Sequence, residues 1–339
     1  MLRALGILCL GLAGAFGLHL VVSNAVPPYP ALIVNMCGIS IILAISLNVI
    51  NGLTGQFSLG HAGFMAIGAY VSAYFTTTLR YFDPDAARYI SEAPLFDGLW
   101  GFPPALLAGG IAAALAGLIV GIPTLRLKGD YLAIATLGFG EIVSILLSNF
   151  RAVGGTKGLT SIPGYADTFW IYGSAATCLI LTGFLQRSTF GRALIAVREN
   201  ELAAEVMGIN AARMKITAFV YGAFFAGVAG GLFGHLMLTI SPANFGYMKS
   251  VEVVVMLVLG GLGSSTGAVV GALILTVLPE ALRDVERQVE LSGFRMALYA
   301  LLLVVMMLFR PQGIFGQREL SLKLLRRLLP SRDKPGRQP

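Results

Sequence analysis

The feature that most constrains this chain is a series of apolar stretches, each about as long as a lipid bilayer is thick. A helix rises about 1.5 Å per residue, so about 20 residues cross a hydrocarbon layer of ~30 Å. Lipid cannot pair with backbone N–H and C=O groups, and a helix pairs them internally. The sequence therefore predicts an all-α polytopic membrane protein. Stretches near this length occupy residues 4–23, 31–50, 57–79, 104–123, 131–150, 170–186, 216–240 and 294–309.

The composition of the chain also indicates that it folds in a lipid bilayer. Hydrophobic residues make up 56% of the 339 residues and charged residues 12%, and the mean hydropathy is +0.79. A soluble domain carries about 25% charged residues, so this chain has too few to cover a surface in water. The first stretch, 4–23, follows Arg3 and has two interpretations, a signal peptide or a retained helix. Its length favours a retained first helix.

The stretch 251–279 differs from the others because residues 260–265 interrupt it with glycine and serine. Neither apolar half is long enough to span comfortably. Interrupted backbone at membrane depth is tolerated inside protein or beside a water-filled cavity. We therefore predict a short broken hairpin at 251–279, which brings the total to about ten transmembrane helices.

Positive charge predicts an orientation. With a cytoplasmic amino terminus and alternating segments, 16 of the 24 Lys and Arg residues fall on the cytoplasmic side and 8 on the other. Cytoplasmic loops are enriched in Lys and Arg. We expect a multi-pass membrane protein with both termini cytoplasmic. The basic pI then follows from topology and requires no nucleic-acid partner.

The predicted division of the chain has three parts. Residues 1–30 form the first helix and its connection, and residues 31–315 form the transmembrane domain with a cytoplasmic loop at 187–215. Residues 316–339 form a basic cytoplasmic tail that is solvated or lies on lipid.

Within the loop 187–215, residues 198–209 are patterned as a short surface helix. Alanine-rich sequence favours helix, and Gly208 is a natural carboxyl-terminal stop. The stop leaves Val206, Met207 and Ile209 as an apolar tip on a charged loop. Two interpretations remain open, a docking surface for a partner protein and an amphipathic connector that rests on lipid headgroups.

Glu141 is predicted near the middle of a membrane span, with Ser144 and Ser148 on the same helix face. An ionisable group at this depth is costly and indicates function by default. It would line a translocation path or relay a proton. The alternative is a hydrogen bond between helices that orders the bundle.

His61 begins the third span, and Ser58 before it is a candidate amino-terminal cap. A lone histidine with no nearby Cys, His or acid is a poor metal ligand, and a structural role is the better interpretation. Asn48, Asn51 and Gln56 flank the same turn and are expected to bond its backbone. Small residues also recur every four positions and predict helix-packing faces. They are Ala113, Gly117 and Gly121; Gly222, Ala226, Gly230 and Gly234; and Gly263, Gly267 and Gly271.

Five segments resemble, in order, the permeases of branched-chain amino acid ABC transporters of the LivM type. They are residues 47–64, 128–142, 191–208, 259–264 and 309–313. Ala203 and Ala204 followed by Gly208 also resemble the EAA loop of ABC importer permeases, in which this loop docks on the ATPase. The sequence departs from that pattern because the acid, Glu201, stands one position early.

The resemblance implies a heterodimer with a LivH-like permease, two cytoplasmic ATPase subunits and a periplasmic substrate-binding protein. ATP would bind the partner subunits, and the chain itself would hold no cofactor. The expected ATPase-coupling residues are Arg198, Glu201, Ala203, Ala204, Met207 and Gly208. The candidates for the translocation path are Glu141, Ser144, Gln56, His61, Gly261 and Gly263.

Absent motifs point away from an enzyme. The sequence has no phosphate-binding GxxxxGK[ST] and no HExxH, and its three cysteines form no CxxC pair. No catalytic or metal-binding residue is predicted. Two alternatives stay open, an ion-coupled secondary transporter and a permease of the same family that carries urea or short amides.

Overall fold

The computed structural model of the protein describes residues 2–77, 79–83, 88–92, 94–95, 98–124, 127, 129–283, 300–301, 304, 308–309 and 313–316. This part of the chain forms eleven α-helices and one two-stranded β-hairpin. The helices are α1 (Leu2–Ala25), α2 (Pro28–Leu47), α3 (His61–Thr76), α4 (Gly98–Thr124), α5 (Asp130–Asn149), α6 (Thr168–Arg187), α7 (Thr189–Glu199), α8 (Glu201–Val206), α9 (Ala211–Met237), α10 (Tyr247–Gly260) and α11 (Ser265–Ala281). Most of the predicted stretch 294–309 and of the basic tail lies outside the described residues.

Seven segments are long and apolar enough to cross a membrane, and they contain α1, α2, α4, α5, α6, α9 and α10. With α3 (16 residues) and α11 (17 residues), nine apolar helices lie in the described ranges. This agrees with the prediction of a polytopic helical protein with about ten spans. The two remaining helices, α7 and α8, form a connection between α6 and α9, and we call their side of the bundle the connector end.

The centre of the bundle is built from α3, α4 and α9, which pack directly on one another. Small residues make this possible. A Cβ added at Gly117 of α4 would lie 2.6 Å from the Cβ of Ala223 in α9, and one added at Gly230 of α9 would overlap the backbone of Met65 in α3. The predicted small-residue faces of α4 and α9 therefore do serve helix packing.

Helix α2 is the most enclosed long element, whereas α1 lies at the periphery against α6. Between α2 and α3 the chain leaves the α-helical pattern. Asn48–Leu53 forms a π-helical segment, and an extended loop leads to α3. A π-helical turn inside a helix is rare and often marks a functional position.

The predicted broken hairpin is present and is formed by α10 and α11. Gly261 (φ 116°) and Gly263 (φ 87°) make the turn, and Ser264 caps α11 by accepting a hydrogen bond from the Gly267 N–H (3.1 Å). Positive φ is the region that only glycine enters at low cost. The turn lies at the connector end. Helix α11 runs from there to the start of α2, where Arg283 donates a hydrogen bond to the Tyr29 hydroxyl.

Two sequence predictions need correction. The stretch 57–79 was expected to be one span, but α3 begins at His61 and ends at Thr76, since residues 54–60 are needed to leave the π-helical segment. The connection after α3 contains an antiparallel β-hairpin, Leu79–Asp83 with Arg88–Glu92, that hydropathy does not reveal.

Candidate functional site

Helices α7 and α8 form a sharply turned elbow at the connector end. The Ser188 hydroxyl accepts a hydrogen bond from the Gly191 N–H (3.1 Å) and begins α7. Asn200 separates the two helices, and its side-chain oxygen accepts from the Ala203 N–H (3.1 Å), which caps α8. Asn210 caps α9 in the same way through the Arg213 N–H (2.9 Å). Three side-chain caps within 23 residues give this connection a defined shape.

Helix α8 ends at the predicted glycine. Gly208 has φ 86°, and its N–H bonds the Glu205 carbonyl (2.9 Å), while the Ile209 N–H bonds the Ala204 carbonyl (3.0 Å). This pair of bonds is the Schellman arrangement, which satisfies the last carbonyls of a helix and requires a left-handed residue. The predicted stop at Gly208 is confirmed. The predicted single helix over 198–209 is wrong, because Asn200 ends α7 and its side chain caps α8.

The elbow exposes an apolar tip. Leu202, Val206 and Met207 are 71%, 88% and 81% exposed. Ile209 was expected in this tip, but it is only partly exposed and packs against the small cluster of Val197, Ala204 and Ala211. The correction has a physical cause, because the Schellman arrangement turns the residue after the glycine back onto the helix.

The candidate coupling residues divide by exposure. Ala203, Met207 and Gly208 face outward, whereas Ala204 is 4% exposed and anchors the elbow. Glu201 accepts a hydrogen bond from the Lys215 ammonium (2.6 Å), whose side chain is 9% exposed. The ion pair joins the first turn of α8 to α9. The displaced acid of the EAA-like pattern thus has a defined structural partner.

Arg198, the next to last residue of α7, connects the elbow to the core. Its Nη1 donates to the Gly52 carbonyl (2.9 Å) within the π-helical segment, and its Nη2 pairs with Glu199 (2.6 Å). The π-helical segment also holds the turn of the hairpin, because the Asn48 side-chain oxygen accepts from the Gly263 N–H (2.9 Å).

We call this set of contacts the junction; it comprises Asn48, Gly52, Arg198 and Gly263. Glycine is required where these elements meet. A Cβ at Gly52 would come 2.6 Å from the Gly263 nitrogen, and a Cβ at Gly263 would come 2.9 Å from Arg198 Nη1. The junction therefore links three segments that are far apart in sequence. Gly52 was not singled out as a functional residue, although the Asn-Gly-Leu-Thr-Gly run at 51–55 is the signal that could have identified it.

The six path candidates do not lie together. Glu141 and Ser144 contact the start of α10, since Glu141 Oε1 accepts from the Tyr247 N–H (2.9 Å) and the Ser144 hydroxyl donates to the Pro242 carbonyl (3.4 Å). Gly261 and Gly263 lie at the other end of α10, roughly 20 Å away for a helix of 14 residues. The hydrogen bond that Glu141 accepts from Tyr247 joins α5 to α10, as the structural interpretation of Glu141 requires.

His61 and Gln56 occupy a third location, around the α2–α3 connection. His61 is fully buried, and its Nε2 shares a hydrogen bond with the Ser46 hydroxyl (2.8 Å). Gln56 is buried and accepts from the Thr54 hydroxyl (3.4 Å). The expected capping by Ser58 is wrong: α3 has Gly60 at its cap position, and the Ser58 N–H instead bonds the Asn51 side chain (3.2 Å).

Among the described residues, no three His, Cys, Asp or Glu side chains are grouped so that they could hold a metal ion.

Comparisons with known proteins give the family. A profile described as branched-chain amino acid transport system / permease component matches residues 29–309. The high-affinity branched-chain amino acid transport system permease protein LivM of Salmonella typhimurium is 37% identical over 327 residues, which covers 86% of this chain and 71% of that protein. LivM of Escherichia coli is 37% identical over 321 residues, covering 84% and 70%.

The related permease protein LivH of Salmonella typhimurium is 29% identical over 302 residues, covering 83% of this chain and 92% of LivH. No solved structure matches. The matched region runs from the first turn of α2 past the end of α11 and contains the elbow and the junction. The proteins of this family are transport components rather than enzymes. The chain therefore belongs to the family of permease components of branched-chain amino acid transport systems.

Proposed function

We propose that this permease subunit imports branched-chain amino acids by alternating access and that separate ATPase subunits drive it through the elbow. The observation that carries the proposal is the exposed apolar tip of Leu202, Val206 and Met207 on a helix whose two ends are capped. Large apolar side chains grouped on a surface mark a binding site, and methionine adapts to a partner surface. A rigid presentation lowers the entropy lost on docking.

The junction supplies a route from the docking surface to the bundle. A displacement of α7 acts on the π-helical segment through the bond from Arg198 to Gly52. It acts on the turn between α10 and α11 through the contact of Gly52 with Gly263. Both α2 and α10 lie in the core, so rearrangement of the elbow would be coupled to rearrangement of the helices that surround a path.

The proposed setting is the bacterial inner membrane with both termini in the cytoplasm. The excess of Lys and Arg on the loops of the connector side supports this orientation, which places the elbow where cytoplasmic ATPases reach it. The proposed assembly contains a LivH-like permease, two ATPase subunits that bind the ATP, and a periplasmic substrate-binding protein. The chain itself would need no cofactor.

The proposed substrates rest on the names of the relatives, which are branched-chain amino acid permeases. Selectivity in such a system would lie mostly in the binding protein. Urea or short amides are the second substrate class in this proposal. Measurement of which solute the cognate binding protein binds separates the two classes.

The docking role is tested by placing a charge in the tip. In Met207→Glu we expect the ATPase subunits to be lost on purification and ATP-dependent leucine uptake to fall at least tenfold, because a buried unpaired charge opposes docking. The matched control is Leu95→Glu, also an exposed leucine-sized side chain (70%) but in the connection before α4. Copurification and uptake of Met207→Glu equal to those of the control would refute docking at this tip.

A further inference from the structure

Helix α10 carries an ion pair near the middle of a membrane span. The helix begins at Tyr247 and so includes Lys249, whose ammonium lies 3.0 Å from a carboxylate oxygen of Glu252. Both charges fall in the centre of the segment Pro242–Gly260, which is long enough to cross a membrane. At 1.5 Å per residue, Glu252 and Lys249 lie roughly 12 and 16 Å along the helix from its Gly260 end. A hydrocarbon layer of ~30 Å therefore surrounds this level of the protein.

A contact with α5 agrees with this depth. Glu141 lies in the middle of α5, which is itself long enough to cross a membrane. Its Oε1 accepts a hydrogen bond from the Tyr247 N–H (2.9 Å) in the first turn of α10. The middle of one span is therefore joined to the part of α10 that carries the ion pair.

The ion pair lies on the outer surface of the bundle. The side chains of Lys249 and Glu252 are 24% and 40% exposed. Beside them Tyr247, Met248 and Val251 are 50%, 66% and 37% exposed. We call these five residues the α10 face. The opposite side of α10 is buried against α2, α3 and α11, so the α10 face is the part of this helix that is left uncovered.

Lipid is a poor cover for the α10 face. Charged side chains at membrane depth are costly, and they nearly always face other protein or a water-filled space. Pairing removes the net charge, but hydrocarbon still offers no hydrogen bonds to the exposed polar atoms. Helix α4 shows the contrast. Its exposed side chains at intervals of four are all apolar and suited to lipid; they are Leu107, Ile111, Leu115 and Ile119.

Depth limits what can cover the α10 face. ATPase subunits in the cytoplasm and a periplasmic binding protein reach only the ends of the bundle. Another membrane-spanning protein reaches the level of the ion pair. The related permease LivH aligns with this chain over 302 residues, and a homologous subunit of this kind spans the same depth.

We propose that the α10 face is the surface on which the second, homologous permease subunit packs, with polar groups of that subunit against the pair of Lys249 and Glu252. Hydrogen bonds to charged groups are stronger than neutral ones, so the pair selects a partner with polar groups at this depth. The inference rests on the proposed function, because the second permease belongs to the assembly proposed there. The surface is distinct from the elbow, which lies at the connector end.

The first test is photo-crosslinking in the complete transporter, reconstituted in proteoliposomes. Met248 is replaced by the photoreactive p-benzoylphenylalanine, and the matched control carries it at Ile111, an exposed position of α4 (54%). We expect the Met248 position to form adducts with peptides of the second permease at least ten times as often as the Ile111 position, as measured by mass spectrometry. Adducts only with lipid, with this chain itself or with a second copy of it would overturn the proposal.

The second test makes the α10 face wholly apolar. In the double variant Lys249→Met with Glu252→Leu, we expect copurification of the second permease to fall at least tenfold, because the polar groups of that subunit lose their partners. The variant is expected to fold, since apolar side chains are well tolerated in hydrocarbon. The control is Leu107→Met with Ile111→Leu on α4, which should copurify as the wild type does. A double variant that retains the second permease and is stabilised towards heat would show that lipid covers this face.

Neither test measures docking of the ATPases or uptake. Failure of the two wild-type permeases to copurify would contradict the proposed assembly itself. Copurification of the wild-type pair without adducts at Met248 would contradict only the placement of the second permease on the α10 face. The result is also independent of whether the elbow couples transport.

Discussion

Arg198 and Gly52 are 146 residues apart, yet the guanidinium Nη1 of Arg198 lies 2.9 Å from the carbonyl oxygen of Gly52. The acceptor is a backbone group of a π-helical turn, whose carbonyl lacks the regular i,i+4 arrangement. The donor is a charged side chain that is 20% exposed. A charge-assisted bond of this kind is among the stronger links that a protein can form between two elements. It makes the elbow part of the core rather than a loose connection.

The first prediction concerns the end of α8. Gly208→Ala places a Cβ at φ 86°, which costs about 1 kcal/mol although the surrounding space is open. We expect copurification of the ATPases to fall several-fold while the thermal midpoint of the bundle changes little, since Gly208 lies in an exposed turn with no packing neighbours. Gly183→Ala is the control, because that glycine lies inside α6 with no atom within 4 Å of the added Cβ. If Gly183→Ala also loses the ATPase subunits, the loss in Gly208→Ala is not caused by strain in the turn after α8.

The second prediction concerns the ion pair of Glu201 and Lys215. Glu201→Gln leaves the ammonium of Lys215 without its charge partner, and the Lys215 residue as a whole is only 8% exposed. We expect a destabilisation of about 1–3 kcal/mol, less than for a fully enclosed pair because the glutamate side chain is 29% exposed. The double variant Glu201→Gln with Lys215→Met should recover part of this loss. Unfolding in denaturant gives the free energy of unfolding of Glu201→Gln, of Lys215→Met and of the double variant. Strictly additive effects would show that the two groups do not interact.

The third prediction separates the two interpretations of Glu141. Glu141→Gln keeps an oxygen that can accept the Tyr247 N–H, so ATP-dependent uptake should stay within about twofold of the wild type. Glu141→Leu removes the acceptor and should cost about 1 kcal/mol of stability, as loss of a helix cap does. Ser148→Ala is a neutral control, since that hydroxyl bonds its own helix. Abolished uptake in Glu141→Gln would instead identify a proton-carrying carboxylate, as in an ion-coupled transporter.

Much of this architecture follows from sequence because lipid imposes simple rules. Length and hydropathy predicted the long helices and the hairpin of α10 and α11, and the Gly208 stop followed from backbone chemistry alone. The packing faces around Gly117 and Gly230 also followed, because a four-residue spacing lies on one side of a helix.

The failures concern contacts, some local and some between distant segments, that hydropathy does not encode. The inward turn of Ile209 depends on a local motif whose packing is visible only with Ala204 in place. The hydrogen bond that Asn48 accepts from the Gly263 N–H and the one that Arg198 donates to the Gly52 carbonyl join segments 215 and 146 residues apart. Hydropathy contains no signal for such pairs. The same holds for the β-hairpin between α3 and α4, whose strands carry mixed polar and apolar residues.

We propose that movement of the elbow is transmitted to the helix bundle through the hydrogen bond from Arg198 to the Gly52 carbonyl. The most direct test measures ATP hydrolysis and leucine uptake together, in proteoliposomes that contain the complete transporter with its binding protein. For Arg198→Ala, we expect the ATPases to remain bound and to hydrolyse ATP while uptake falls at least tenfold, because the docking tip is intact and the bond to Gly52 is lost. Arg192→Ala, which removes an exposed arginine of the same helix that bonds the Arg187 carbonyl, should behave as the wild type. An unchanged ratio of leucine transported to ATP hydrolysed in Arg198→Ala would show that Arg198 does not couple the elbow to the bundle.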